Sequence, residues 1–338
     1  MTVKNIALIG LLTIVTALPL EQLWQLVPNS EGYLHLVNIN PYQLPSADPS
    51  EPEHLFVPET DMVFRLFTRS HPTEPQFLEI GNPSSITGSN FNAAHPTRFT
   101  IHGWNGNGND GSNTVIRDSF LSVGDFNVIS ADWTVAAVNP NYISSRNAVG
   151  PAGTGVGSLI DELIVHAGAN LDNIYVSGFS LGAHVAGNTG KYHNGNINTI
   201  IALDPAGPLF SAGQSDAVSP QDGQYVETIM TNAGLQGINV PLGQANFYPN
   251  GGRRQPGCGT DINGACAHAR APTLYAESIS SSVPFRSTRC ASHAEILEGI
   301  CTPSGTDANL GGDPSNNGCG ANGVYFLSTN DEAPFAQG

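Results

Sequence analysis

"NIYVSGFSLGAHVAG", residues 173–187, runs from a β-rich segment through a serine set between two glycines into small and apolar residues that suit a helix. Ser180 then has two readings. It is a nucleophile raised on a tight strand-to-helix turn, or it is an N-cap whose hydroxyl closes the first helical turn. A lone GxSxG does not separate them, so the surrounding chain must.

On either side the chain alternates between two kinds of segment. "MVFRLFT" (62–68) alternates apolar and polar residues, and "TRFTIHG" (97–103), "FNVISADW" (126–133), "NTIIALD" (198–204), "YVETIMT" (225–231) and "VYFLST" (324–329) read as strands. "GVGSLIDELIVHAG" (155–168) repeats Leu159, Ile160, Leu163, Ile164 and Ala167 on one helical face, and a second helix is expected from Ser180 to about Asn188. Strands and helices joined this closely predict an α/β fold, a mostly parallel central sheet with flanking helices in a single domain. The glycine-rich pieces "GNGNDGSN" (106–113) and "GPAGTGVG" (150–157) complete neither a dinucleotide fingerprint nor a phosphate-binding loop, and they read as loops.

Composition narrows the class of function. The net charge of −16 argues against nucleic acid and against electrostatic docking on anionic membranes. The amino terminus has one early lysine, an apolar run from Ile6 to Val15 and the small pair Thr16 and Ala17. That is a signal-peptide pattern over residues 1–17, too short to span a bilayer, with cleavage expected near Ala17 and an extracellular destination. No later segment is apolar enough to be a transmembrane span. Between Asn5 and Phe64 there is no Lys or Arg, while Glu21, Glu31, Asp48, Glu51, Glu53, Glu59 and Asp61 accumulate, so residues 18–55 read as an extended acidic arm or propeptide ahead of a domain over 56–338. Beyond Lys4 the single lysine is Lys191, against ten arginines; guanidinium keeps its charge at high pH, which fits an alkaline lumen, and drift in base composition fits equally well.

All five cysteines lie between residues 258 and 319, in a chain expected to meet oxidising conditions. Spacing does not fix their connectivity, but Cys258 with Cys266 and Cys290 with Cys301 are the pairs whose loops lose least entropy on closure. Cys319 is then left over.

A serine needs a base, and the base needs a carboxylate to orient it. Asp204 ends the strand after the serine, in "IALDPAGPLF", at a carboxyl edge shared with Ser180; as an alternative, Asp before Pro often starts a turn. Among ten histidines, those ahead of the serine precede it in chain order, and His166, His184 and His193 lie on or beside helices where exposure or capping is the default. His268, in "GACAHARAPTLYAESI", stands at the mouth of a helix two residues after Cys266; His293, in "CASHAEIL", is the runner-up. In "FTIHGWNG" (99–106), Trp104 follows a strand end and offers a backbone N–H to pair with that of Leu181 as an oxyanion hole. This chemistry calls for no metal and no cofactor.

"FTIHGW", "GFSLGAHVAG", "ALDPAGPLF", "CAHARAPTLYAESI" and "NFYPNGGRRQPGC" together resemble the ordered blocks of the pancreatic lipase family, especially its insect secreted lipases and phospholipases A1. The resemblance covers roughly residues 55–335 and implies an α/β-hydrolase fold, with Ser180, Asp204 and His268 as triad and Trp104 and Leu181 as oxyanion donors. It also implies a glycerolipid substrate met at a micelle or lipid surface. Where relatives carry a long disulfide-bounded lid, Cys258 to Cys266 is short, and the segment 231–243 is abbreviated, as in the phospholipase A1 and galactolipase branches. Weak interfacial activation is therefore expected. The chain stops where a carboxyl-terminal β-sandwich would begin, so a colipase-type partner is not expected. Some insect relatives are yolk proteins of the same fold without the nucleophile, which makes a silent lipid-binding or storage protein the rival to a phospholipase A1, galactolipase or triacylglycerol lipase.

Overall fold

The computed structural model describes residues 55–139 and 141–338, together with the backbone of two short strands, β1 (Trp24–Pro28) and β2 (Leu34–Asn38), which pair antiparallel. The signal peptide over residues 1–17 and its cleavage site lie outside the described residues, as does most of the acidic arm.

The other strands are β3 (Val63–Thr68), β4 (His71–Leu78), β5 (Thr97–Ile101), β6 (Asn127–Asp132), β7 (Ile174–Phe179), β8 (Thr199–Leu203), β9 (Tyr225–Ile229), β10 (Ala245–Pro249), β11 (Arg286–Cys290), β12 (Ala308–Asn309) and β13 (Gly323–Leu327). They form one 11-stranded sheet in the order β12-β11-β13-β10-β9-β8-β7-β5-β6-β3-β4. Its middle, from β13 to β6, is parallel, and antiparallel pairs close both ends. Four long helices flank it: α1 (Gly111–Val123), α2 (Val149–Ala167), α3 (Leu181–Tyr192) and α4 (Ala265–Ser280).

Parallel strands covered on both faces are mostly apolar, and β5 to β10 are buried at every position. Two clusters result, one carrying Ile101, Val176, Leu181, Ile200 and Val226, the other Phe179, Leu203, Ile229, Phe247 and Leu274. This is an α/β-hydrolase fold.

One expectation fails here. Residues 150–157 are not a loop: helix α2 begins at Val149 and runs straight through them. Gly153, Gly155 and Gly157 serve packing rather than flexibility. A Cβ on Gly153 would lie 2.4 Å from Asn188 Cβ, and one on Gly157 2.5 Å from the Tyr192 ring, so α2 and α3 meet almost backbone to backbone. That contact outweighs the roughly 1 kcal/mol that each helical glycine costs.

At the sheet's outer ends, β12 is two residues long, and β4 carries Pro72, Glu74 and Pro75 where its pairing with β3 is interrupted by a register shift.

Candidate active site

Ser180 sits between β7 and α3 with φ 57° and ψ −119°, a conformation that costs a non-glycine residue energy and is tolerated where surroundings fix it. The surroundings are backbone. A Cβ on Gly178 would lie 2.0 Å from the Gly182 carbonyl oxygen, and one on Gly182 would lie 2.4 Å from Ile101 O and 2.5 Å from His102 O. Both glycines are thus required by close approach, as the motif predicts. Ser180 occupies the N-cap position, yet its hydroxyl makes no capping hydrogen bond. The N-cap reading has no support.

Strand β8 places the next residue. Ser180 N–H donates to Leu203 O at 3.0 Å, and Ala206 N–H to Ser180 O at 3.2 Å, which ties the ends of β7 and β8 together around Asp204. Asp204 is fully buried with φ 40°; Thr231 N–H and Asn232 N–H donate to its Oδ1 at 2.9 and 3.0 Å. Its other oxygen, Oδ2, lies 2.5 Å from His268 Nδ1. With Asp204 a carboxylate acceptor, Nδ1 carries the hydrogen and Nε2 holds a lone pair. The His268 ring also packs on Phe179, the residue before Ser180, with centroids 4.5 Å apart. The alternative reading of Asp204 as a mere turn former does not describe this carboxylate.

His268 lies in the first turn of α4, and that turn is held from outside the helix. Gly264, at the N-cap, has no side chain, so Asp261 supplies the capping acceptor to Cys266 N–H (3.1 Å) and Ala267 N–H (2.9 Å). Cys258 and Cys266 are bonded across this turn. Pro272 cannot donate to the His268 carbonyl four residues back, and that carbonyl accepts from Thr231 Oγ1 at 3.4 Å instead. Segment 231–237 therefore grips both Asp204 and His268.

On the other flank, Gly103 lies against the serine: a Cβ there would come 2.9 Å from Ser180 Cβ. Trp104 follows, with its indole N–H donated to Asn139 O at 3.0 Å and its ring edge-on to Tyr142. Leu181 is the first residue of α3, where an N–H has no acceptor within the helix.

His293 is apart from this group. It starts a short helix (His293–Leu297) and its ring packs on Tyr248 at 5.2 Å. His184, expected to be exposed or capping, is buried, whereas His193, also buried, stands at the C-cap of α3. His184 Nε2–H donates to Ala206 O (2.9 Å), its Nδ1 accepts from Val218 N–H (3.1 Å), and Phe210 stacks on the ring at 3.7 Å. Burial pushes its pKa down to about 4. Helix α3 turns this side inward because Ala206 and Val218 belong to the loop that descends from Asp204, so the histidine pins that loop.

Cys290 is bonded to Cys301, and Cys319 is free and exposed. Cys258, Asp261 and Cys266 lie close enough to suggest a metal cluster, but the sulfurs are joined to each other and the carboxylate caps α4. Among the described residues no helix is long and apolar enough to cross a membrane.

Thr231, Asn232, Gly237 and Asp261 did not emerge from the sequence. Only Asp261 carried a readable signal there, an acidic residue shortly before a helix start.

Known proteins resemble this chain. A family model described as Lipase matches residues 38–335. The chain is 33% identical over 257 residues to lipase member H of Oryctolagus cuniculus, an alignment covering 73% of this chain and 55% of that protein. It is 34% identical over 246 residues to phospholipase A1 member A of Bos taurus, covering 70% and 53%. Pancreatic triacylglycerol lipase of Oryctolagus cuniculus is 32% identical over 303 residues, covering 81% and 64%. The chain thus spans a little over half the length of the first two relatives.

Proposed function

The chain belongs to the Lipase family, and on that premise we propose that it is a secreted serine hydrolase that cleaves acyl esters of glycerolipids. One observation carries the reading: the 2.5 Å contact from His268 Nδ1 to the buried Asp204, beside a serine held at φ 57° on the adjoining strand end.

In this reading His268 Nε2 takes the proton from Ser180 as Oγ attacks the acyl carbonyl. Asp204 keeps the imidazole in the Nδ1–H tautomer and stabilises the imidazolium. The amides of Leu181 and Trp104 hold the oxyanion. The glycerol-side alcohol leaves with the proton from His268, and water, activated by the same nitrogen, hydrolyses the acyl-enzyme to fatty acid.

Phospholipase A1 and triacylglycerol lipase are both names carried by relatives. The loop closed by Cys258 and Cys266 spans a sequence separation of only 8 residues. A loop of that length supports an uncovered cleft with room for a polar headgroup and weak activation by an interface.

The test is fatty-acid release in a pH-stat from phosphatidylcholine and triacylglycerol, beside labelling by a fluorophosphonate. Wild type is expected to react with the probe at Ser180 and to release acid, and Ser180→Ala to do neither. An unlabelled wild type without ester hydrolysis would turn the assignment to a lipid-binding or storage protein.

A further inference from the structure

We propose that the cavity walled by Asn232 and Asp261, the residues that hold Asp204 and the helix of His268, is a phosphate subsite, in which Arg253 and Arg254 take the phosphodiester of a phospholipid headgroup. The inference rests on the hydrolase reading and names the substrate class of that site.

The cavity, about 630 Å³, opens between segment 232–235 and the disulfide loop, with Arg253 and Arg254 along its wall. Those are also the segments that hold the catalytic groups. Asn232 N–H donates to Asp204, and Asp261 caps the helix bearing His268. Asn232 ties the arginines to this frame as well, its side-chain Nδ2 donating to Arg253 O at 3.0 Å. A ligand seated on the arginines is thereby linked to Asp204 through Asn232.

Among the described residues half of the ten arginines have no carboxylate partner, and of these Arg253 and Arg254 are the two that share the cavity wall. Arg65, Arg69, Arg98, Arg117 and Arg146 each pair with an aspartate. Among the described residues Arg253 and Arg254 have no carboxylate partner, although both are exposed in a chain of net charge −16. The one acidic residue on the cavity wall, Asp261, already accepts two helix N–H groups. Two adjacent guanidinium groups without a counter-ion suit a phosphate's oxygens, whereas a triacylglycerol or a galactolipid brings no anion to them. The rest of the rim suits the lipid: Leu235 and Ile262 stand 44% and 85% exposed on the same cavity.

The experiment compares kcat/KM for phosphatidylcholine and for triacylglycerol of the same acyl chains, using the full chain, Arg253→Ala/Arg254→Ala, and the corresponding double Lys variant. The expected result is that the phospholipid-to-triacylglycerol ratio falls at least about tenfold in the Ala pair, mainly through KM, and partly recovers with Lys. Soluble glycerophosphocholine should inhibit wild type competitively and lose that effect in the Ala pair. A ratio that does not move overturns the subsite. So does inhibition by inorganic phosphate alone, which would give the cavity to the free ion. A wild type active only on triacylglycerol also overturns the subsite but leaves the triad standing. If wild type hydrolyses neither ester and ignores the fluorophosphonate, the hydrolase reading itself falls.

Discussion

The carboxylate of Asp204 occupies the place where a side chain on Gly237 would stand: a Cβ there would lie 2.5 Å from Oδ1 and 2.9 Å from Oδ2. Gly237→Ala must therefore displace the carboxylate or the loop. Since misplacement of a catalytic group by about 1 Å can cost roughly 100-fold, kcat should fall about 10- to 100-fold with KM little altered. Steady-state kinetics on a soluble ester checks this, and unchanged kcat would mean that the loop yields instead.

The α2–α3 contact gives a paired test. Gly153→Ala gains about 1 kcal/mol of helix propensity but drives a methyl group against Asn188, an overpacking that costs about 1–3 kcal/mol. Its Tm should drop. Gly111, the first residue of α1, has nothing within 4 Å of the corresponding position and no proline after it, so Gly111→Ala should raise Tm. Thermal melts of the two variants should move in opposite directions.

His184 makes stability depend on acid. Its folded pKa, about 4, lies below the ordinary value of 6.5 because burial disfavours the imidazolium. Between those values the unfolded chain binds the proton and the folded chain does not. The contribution is therefore complete above about pH 6.5 and is lost as pH falls toward 4, by about 3 kcal/mol in all. A His184→Gln variant should show a shallower fall of Tm between pH 6.5 and 4 than wild type.

Glu227 works with the opposite sign. Burial raises its pKa from 4.5 to about 7, against the hydrogen bonds it accepts from Tyr225, Asn316 and the Gly311 amide. The folded state then holds the proton that the unfolded state has released. Its contribution is greatest below 4.5 and declines as pH rises to about 7. Glu227→Gln should remove that decline, measured as Tm across the same window.

The sheet's parallel centre was legible because strands buried on both faces are mostly apolar, as the "IIAL" of residues 200–203 is. Ser180, Asp204 and His268 could be named because each falls at a strand or helix end whose type the neighbouring residues announce. The supporting residues could not. Thr231 and Asn232 act through backbone N–H groups, which carry no side-chain signature, and Gly237 matters for the volume it leaves. Gly153 and Gly157 misled for a related reason: the partner that makes them suit a helix is α3, more than thirty residues away in sequence, and local propensity does not contain it.

The ends of the sheet bear on how the protein behaves in a crowd. A wide sheet with a long, straight outer strand would present a row of unpaired amides and carbonyls to any passing chain. Here one border strand offers only two residues, and the other is interrupted by Pro72 and Pro75, which have no N–H to give, with the charge of Glu74 between them. Recruitment of a further strand is disfavoured at both margins of this sheet, which takes away the long edge along which molecules packed side by side at high concentration would zip into fibres.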